Sequence, residues 1–140
     1  MNHTIKKSHL THSATMAMLQ SAVNKAEEMG QHQCIVLVDT SGELHGEIRM
    51  DGAKYLSRKS ALAKALTAAS IGGPTTNIPE HVRTNIGLAT NGNVTGLPGG
   101  LPIIIEGDLV GGIGVGSGSG EQDIEVAIAA LKVVGAKTEF

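Results

Sequence analysis

The chain has 140 residues and a formal net charge of −2 at pH 7, from 11 Lys and Arg against 13 Asp and Glu. This length fits one domain with a core of its own, so we expect residues 1–140 to form a single domain with a flexible N-terminal segment at residues 1–9. The charge balance and the presence of only two aromatic residues predict no nucleic-acid partner. The sequence has no apolar run of membrane-spanning length and no export signal, and its one cysteine suits a reducing compartment. We therefore expect a cytoplasmic protein without membrane association.

Hydrophobic periodicity and turn residues divide the chain into helices and hairpins. Because hairpins rather than helical crossovers connect most strands, we predict an α+β fold with a mainly antiparallel sheet and helices packed on it. In chain order, the predicted elements are a helix over 11–29, strands over 34–38 and 45–50, a helix over 53–71, a short helix from Pro79, a loop over 91–100, strands over 102–105 and 109–115, and a helix after Gly120.

Apolar residues at helical spacing indicate which helix faces should be buried. Thr11 or Ser13 is a candidate cap for the first helix, and Ser119 followed by Gln122 is a capping-box pattern for the last. The expected buried stripes are Met16, Leu19, Val23 and Ala26 in the first helix, Leu62, Ala65, Leu66 and Ala69 in the second, and Ile124, Ala127, Ile128 and Leu131 in the last.

A glycine-rich run over 111–120 precedes the last helix and suggests a nucleotide site. No register of this run satisfies G-x-G-x-x-G, and it has no lysine for a P-loop, so the spacing excludes both kinds of site. The backbone N–H groups from Gly118 to Gln122 remain, and at a helix N-terminus they can hold a carboxylate, a propionate or a phosphate. The alternative is a glycine-rich strand end followed by an ordinary helix cap.

The histidines and the cysteine show no spacing typical of a zinc site. His32, Cys34 and His45 are the candidates for an axial ligand to haem iron if they face a pocket. No other metal site is predicted.

Several charged residues occupy positions that suggest a site. Asp39, Arg49 and Asp51 lie at predicted strand ends, where we expect them to cluster and a carboxylate to pair with the guanidinium. Lys64 lies between two alanines in an otherwise apolar stretch, which predicts that it approaches a partly buried site.

An ordered set of segments carries a resemblance to a known family. They are VDTSG at 38–42, RMDGA at 49–53, KALTA at 64–68, PGGLPI at 98–103, GDLVGGIGV at 107–115 and EQD at 121–123. With these segments the chain resembles the GlcG/HbpS-like family from about residue 10 to residue 134, which is nearly its whole length.

The resemblance implies a profilin-like fold with a five-stranded antiparallel sheet between helices, and dimers that assemble further, often into octamers. Family members include a secreted haem-binding protein, the C-terminal domain of PduO-type corrinoid adenosyltransferases, and small proteins encoded with enzymes of glycolate, glycerol or diol utilisation. In PduO-type haem domains, a histidine of the first helix is associated with ligation. Here residues 13–29 contain no histidine, and His9 and His12 are expected to precede the helix.

The resemblance favours an accessory protein that binds a small ligand, most simply a tetrapyrrole such as haem or a corrinoid, at a subunit interface. The ligand would lie against the loop at 98–102 and the strand end at 112–118, with Arg49 or Lys64 holding its carboxylates. The expected contacts are Pro98, Gly99, Gly100, Leu101, Gly118 and Gly120.

Two other functions stay open. One is a small lyase or isomerase acting on a hydroxy or oxo compound, with Asp39 or Asp51 as the proton carrier and Lys64 or Arg49 as the anion holder. Lys64 therefore also counts among the catalytic candidates. The other is a purely structural partner in a catabolic assembly.

Overall fold

Residues 34–38 form a strand in the interior of the sheet, where all five side chains are buried. The structure, a computed structural model, describes residues 1–140. Four strands form one antiparallel sheet in the order β2-β1-β4-β3, which confirms the α+β class. The predicted fifth strand is wrong, because the two hairpins supply only four strands. The strands are β1 (Cys34–Val38), β2 (Leu44–Arg49), β3 (Gly100–Ile105) and β4 (Asp108–Gly116).

Helices cover both faces of this sheet. The first and last helices pack on one face, and the second helix packs on the other, against the three strands β4, β1 and β3. They are α1 (His12–Glu28), α2 (Ser57–Ile71), α3 (Arg83–Ala89) and α4 (Gly120–Val133), with short 3₁₀ turns at Thr75–Asn77 and Glu80–Val82. None of these helices combines the length and the apolar character that a membrane crossing requires.

Strand β1 is continuously apolar because both of its faces are covered. Ile35 and Leu37 belong to the large core between the sheet and α1 and α4. Cys34, Val36 and Val38 belong to a second, smaller core that they share with alanines of α2.

Glycines of β4 allow α2 to lie unusually close to the sheet. A Cβ atom at Gly114 would overlap the carbonyl oxygen of Ala61 and would lie 2.6 Å from the backbone nitrogen of Ala65. A Cβ at Gly112 would overlap the carbonyl oxygen of Ala65 and would lie 2.8 Å from the nitrogen of Ala69. The backbones of the helix and the strand therefore meet almost directly, and this contact requires glycine at positions 112 and 114.

The first helix has nearly the predicted extent, and Thr11 is its cap, with its hydroxyl accepting a hydrogen bond from the Ala14 nitrogen at 3.1 Å. His12 is the first residue of α1, so the expectation that it precedes the helix is wrong by one position. Met16 is also wrong as a core residue, since it is 68% exposed, whereas Met18 is fully buried. The buried face is thus rotated from the predicted stripe toward Thr15, Met18, Ala22 and Ala26.

The last helix begins with the predicted capping box. The Ser119 hydroxyl accepts from the Gln122 nitrogen at 3.2 Å, and the Gln122 side chain accepts from the Ser119 nitrogen at 2.9 Å. Ile124 and Ile128 are only half-buried, so the stripe predicted there is partly wrong. The buried face consists of Asp123, Val126, Ala127, Ala130 and Leu131.

Helix α2 begins at Ser57, four residues later than predicted. The preceding residues are held in turns, because Gly52 has a positive φ of 83° and the Lys54 nitrogen donates to the Ser117 hydroxyl at 2.9 Å. The helix predicted from Pro79 starts as a 3₁₀ turn, and α3 itself begins at Arg83.

A glycine-to-alanine substitution should change the free energy of unfolding differently inside the contact between α2 and β4 and outside it. We expect Gly114→Ala to lower the free energy of unfolding by about 3 kcal/mol or more, because the added methyl group overlaps backbone that cannot move alone. Gly87→Ala, in the middle of α3, should leave stability unchanged or raise it by about 0.5–1 kcal/mol, since a Cβ there makes only an ordinary 3.6 Å contact. Urea denaturation of both variants measures the difference, and equal midpoints would contradict the close contact.

Candidate functional site

The residues that the sequence singles out lie in separate parts of the molecule. Lys64 and the loop over 98–101 surround a buried centre between α2, β4 and the start of α4. His32, Arg49 and Asp51 line a cavity beside the end of α1. Asp39 lies at the opposite end of the first hairpin, in the turn between β1 and β2.

Lys64 is 4% exposed, and its ammonium group makes two hydrogen bonds within the chain. Its Nζ donates to the carbonyl oxygen of Val115 at 2.7 Å and to Oδ2 of Asp123 at 3.0 Å. The other carboxylate oxygen of Asp123 accepts from the Gly118 nitrogen at 3.1 Å. The result is a buried ion pair that ties α2 to β4 and to the first turn of α4.

The sequence does not mark Asp123 as a site residue, because nothing in the local sequence shows that its partner lies 59 positions away. The available signal was its place in the EQD segment of the family resemblance. Burial raises the pKa of Asp123, and its hydrogen bond to Lys64, the charge of Lys64 and the Gly118 N–H oppose that rise. The fully buried amide of Gln33 lies nearby, and its Nε2 and Oε1 have no hydrogen-bond partner within the chain.

The chain's own atoms occupy the space beside the predicted contact glycines. A Cβ at Gly99 would lie 3.1 Å from Nζ of Lys64, and one at Gly100 would lie 2.9 Å from the Lys64 carbonyl carbon. At Gly118 a Cβ would lie 2.7 Å from Nε2 of Gln33, and at Gly120 it would lie 3.2 Å from Cβ of Pro98. Leu101 is buried in β3. Ligand contact at these positions stays a prediction; the contacts present are internal packing.

A cavity of about 420 Å³ lies where the C-terminal half of α1 meets the ends of β1 and β2. This volume is within the ordinary range of small-molecule sites, roughly 300–1,000 Å³. Part of its lining is apolar and part is polar. The residues are Val23, Ala26, Glu27, Gly30, Gln31, His32, Ile48, Arg49, Met50 and Asp51.

The charged residues of this cavity are not neutralised by one another. The chain has two ion pairs, Lys25 with Glu28 and Lys64 with Asp123, so neither Arg49 nor Asp51 belongs to one. The ring of His32 packs beside Gly52, where a Cβ would lie 3.2 Å from its Cδ2. The cavity thus offers an imidazole, a guanidinium and two carboxylates next to an apolar wall.

The expected cluster of Asp39, Arg49 and Asp51 is wrong for Asp39. Arg49 is paired in register with Cys34, at the end of the hairpin away from the turn that contains Asp39. The Asp39 carboxylate accepts from the backbone nitrogens of Ser41 at 2.8 Å and Glu43 at 3.0 Å, which is typical of an aspartate that stabilises a turn. No carboxylate pairs with the Arg49 guanidinium.

The two other axial-ligand candidates already make contacts inside the protein. Nδ1 of His45 lies 2.6 Å from the Thr15 hydroxyl, which joins β2 to α1. Cys34 is 1% exposed, and its thiol donates to the Lys54 carbonyl oxygen at 3.7 Å. Burial raises the pKa of Cys34, although Arg49 and Arg58 oppose the rise, and a protonated thiol is a poor metal ligand. Of the three axial-ligand candidates, His32 is the one that lines a cavity.

Replacing one partner of the buried ion pair should lower the free energy of unfolding much more than replacing both partners with apolar residues. We expect Lys64→Met to lower the free energy of unfolding by about 3–5 kcal/mol, because it leaves a carboxylate buried without its cation. The double variant Lys64→Met/Asp123→Leu should recover most of that loss. Urea denaturation measures both, and a double variant no more stable than Lys64→Met would contradict the argument.

The same variant should show an altered pH dependence. Without Lys64, the pKa of Asp123 rises further above its unfolded value of about 3.9, so the carboxylate destabilises the folded state increasingly as the pH rises through the folded-state pKa. The stability deficit of Lys64→Met relative to the parent chain should therefore shrink when the pH is lowered from 7 toward 4.5. Lys59→Met, at an exposed position of α2, is the matched control and should show a deficit that is independent of pH.

Comparisons with known proteins agree with the segments quoted above. Residues 10–132 match the family model described as "Haem degrading protein HbpS-like". The corrinoid adenosyltransferase PduO of Citrobacter freundii is 31% identical over 126 residues, which are 86% of this chain but 38% of that protein. The chain therefore spans well under half the length of PduO.

Two solved structures share the fold over almost the whole chain. HbpS of Streptomyces reticuli, crystallised as a double mutant, is 33% identical and superposes with a TM-score of 0.85, covering 96% of this chain and 92% of that one. A PduOC:Heme complex is 25% identical with a TM-score of 0.87, covering 95% and 100%. On the family match and these similarities, the chain belongs to the HbpS-like family.

Proposed function

We propose that this protein is an accessory protein that binds a tetrapyrrole, either haem or a corrinoid, with the cavity at the end of α1 as its contact site. The observation that carries the proposal is that His32 and Arg49, both free of ion pairs, line one cavity with four apolar residues. Membership of a family described by haem degradation supports it, as does a haem complex of a structural relative. A corrinoid ligand is supported by the similarity to PduO, which is a corrinoid adenosyltransferase.

Each part of the cavity has a role in this proposal. The apolar side chains, Val23, Ala26, Ile48 and Met50, would contact the edge of the macrocycle. Arg49 would hold a haem carboxylate by charge-assisted hydrogen bonds, and the imidazole of His32 would ligate the metal. The acidic side chains and Gln31 can instead accept hydrogen bonds from the amide groups of a corrinoid.

Self-association would complete a site that one protomer covers only in part. The edge strand β2 exposes Leu44 and Ile48, at 55% and 39%, and such apolar side chains on an unpaired edge favour contact with another chain. We propose a dimer, or an octamer built from dimers, with the profilin-like topology that the resemblance implies. A cytoplasmic location and a link to glycolate, glycerol or diol catabolism are part of the same proposal.

One observation favours a second function, a small lyase or isomerase. Asp51 and Arg49 line the same cavity, which would therefore contain both a proton carrier and an anion holder. Asp39 and Lys64 are less suited to these roles, because the first accepts two backbone hydrogen bonds and the second is buried in an ion pair. In this alternative the substrate would be a small hydroxy or oxo acid.

Titration of the purified protein with haem and with cobalamin, followed by absorption spectroscopy, tests the first function. We expect saturable binding of one of them, with His32→Ala altering the metal-ligand spectrum and Arg49→Ala weakening haem binding about tenfold through the loss of a charge-assisted hydrogen bond. His81→Ala and Arg58→Ala, at exposed positions outside the cavity, are the matched controls and should behave as the parent chain does.

Unchanged spectra and affinities in both cavity variants would contradict the proposed site. If neither haem nor cobalamin binds, while small hydroxy acids bind and Asp51→Asn abolishes their turnover, the enzymatic function replaces the first.

A further inference from the structure

A second cavity, of about 620 Å³, lies at the other end of the first hairpin. It is formed where the turn between β1 and β2 meets the C-terminal half of α2 and the loop after α3. Gly42, with a φ of 80°, lets that turn rest on α2, since a Cβ there would lie 3.1 Å from Cδ2 of Leu66. Because β1 has five residues, this cavity lies about 17 Å along the strand from the one that contains His32.

The lining of this second cavity contains no charged side chain. Its polar groups are hydroxyls and one amide, and they lie next to apolar atoms of Leu66, Ala69, Val94 and Leu109. Uncharged donors and acceptors beside an apolar floor match the alternating hydroxyl and C–H groups of a polyol.

Four of the five polar side chains of this cavity make no hydrogen bond within the chain, and Ser41, Ser70 and Asn93 are exposed to solvent. The Thr90 hydroxyl is used within the chain, since it donates to the Ile86 carbonyl at 2.7 Å and accepts from the Val94 nitrogen at 3.0 Å. The side chains of Thr40, Ser41, Ser70 and Asn93 make no hydrogen bond within the chain; Ser41 and Asn93 use only backbone atoms.

A third cavity, of about 550 Å³, adjoins the second and shares Thr40 and Leu109 with it. It is lined by Lys6 and Lys7, which take part in neither ion pair of the chain. The nearby Asp108 carboxylate accepts a hydrogen bond from the Ser8 hydroxyl at 3.1 Å, which ties the N-terminal segment to the start of β4. A ligand that extends from the uncharged cavity past Thr40 therefore meets two ammonium groups and one carboxylate.

We propose that these adjoining cavities bind a phosphorylated polyol, with its hydroxyl groups in the uncharged cavity and its phosphate beside Lys6 and Lys7. The uncharged lining selects for hydroxyls, and the lysines select for the anionic end. This site is separate from the proposed tetrapyrrole site, because the two share no residue.

The test is a titration of isotope-labelled full-length protein with sorbitol 6-phosphate, sorbitol and inorganic phosphate, followed by amide chemical shifts in NMR spectra. We expect sorbitol 6-phosphate to bind more tightly than either of the other two, and to shift the amide signals of Thr40, Ser41, Ser70 and Asn93. The signals of His32 and its neighbours should not move, so failure here is distinct from failure at the tetrapyrrole site.

Two variants separate the halves of the site. Ser70→Ala should weaken binding of sorbitol 6-phosphate about fivefold, which corresponds to one lost neutral hydrogen bond. The double variant Lys6→Gln/Lys7→Gln should weaken it about tenfold and leave sorbitol binding unchanged. Ser21→Ala and Lys132→Gln, outside both cavities, are the matched controls.

Three results would overturn the proposal. They are the absence of shifts at these residues with millimolar sorbitol 6-phosphate, equal affinity for inorganic phosphate, and equal affinity for sorbitol. The second would make the site a simple anion contact, and the third would leave the lysines without a role.

Discussion

The close approach of α2 to β4 is the constraint on which the rest of the structure depends. With glycine at 112 and 114, the backbone of the strand meets the backbone of the helix near Ala61 and Ala65. This contact places Nζ of Lys64 3.0 Å from Oδ2 of Asp123, and both side chains are buried. A buried charge is tolerated only when it is paired and hydrogen-bonded, and the Val115 carbonyl and the Gly118 N–H supply the additional bonds. The ion pair therefore links the first turn of α4 to α2 across the sheet, in addition to the packing of α4 on α1 and on the sheet.

The cavities of the two proposed ligand sites lie at the margins of the sheet. Close packing fills the centre beside Gly99 and Gly100, where the resemblance suggested a flat ligand. On the α2 side of the sheet, α2 packs on β4, β1 and β3, so the edge strand β2 is less covered there, whereas the cavity that contains His32 lies on the opposite side, beside α1. Both proposed ligand sites lie at the ends of the first hairpin, one beside α1 and one beside the C-terminal half of α2.

Local features of the fold could be predicted from the sequence, and features that depend on distant residues could not. The run at 34–38 and the capping box at Ser119 and Gln122 are determined by adjacent residues, and the structure contains both. The expected cluster of Asp39 with Arg49 is wrong, because Asp39 lies in the turn of the hairpin, whereas Arg49 pairs with Cys34 at its open end. The nearly complete burial of Lys64 could not be predicted from the sequence, since Asp123 becomes its neighbour only through tertiary packing. Glu27 and Gln31 also reach their cavity only through tertiary packing, and no sequence motif marks them as lining residues.

The direct backbone contact between α2 and β4 also has a consequence for how this sequence can change. Alanine and glycine lose almost no rotamer entropy on burial, so the interface forms without immobilising long side chains. For the same reason, the atoms next to Gly112 and Gly114 are mainly backbone atoms of α2, and no flexible side chain can move aside for a larger residue there. A shift of α2 to make room would also separate Lys64 from Asp123, which lie on elements joined by that contact. Substitutions at Gly114 and at Lys64 are therefore energetically coupled, so each position restricts which residues the other can accept.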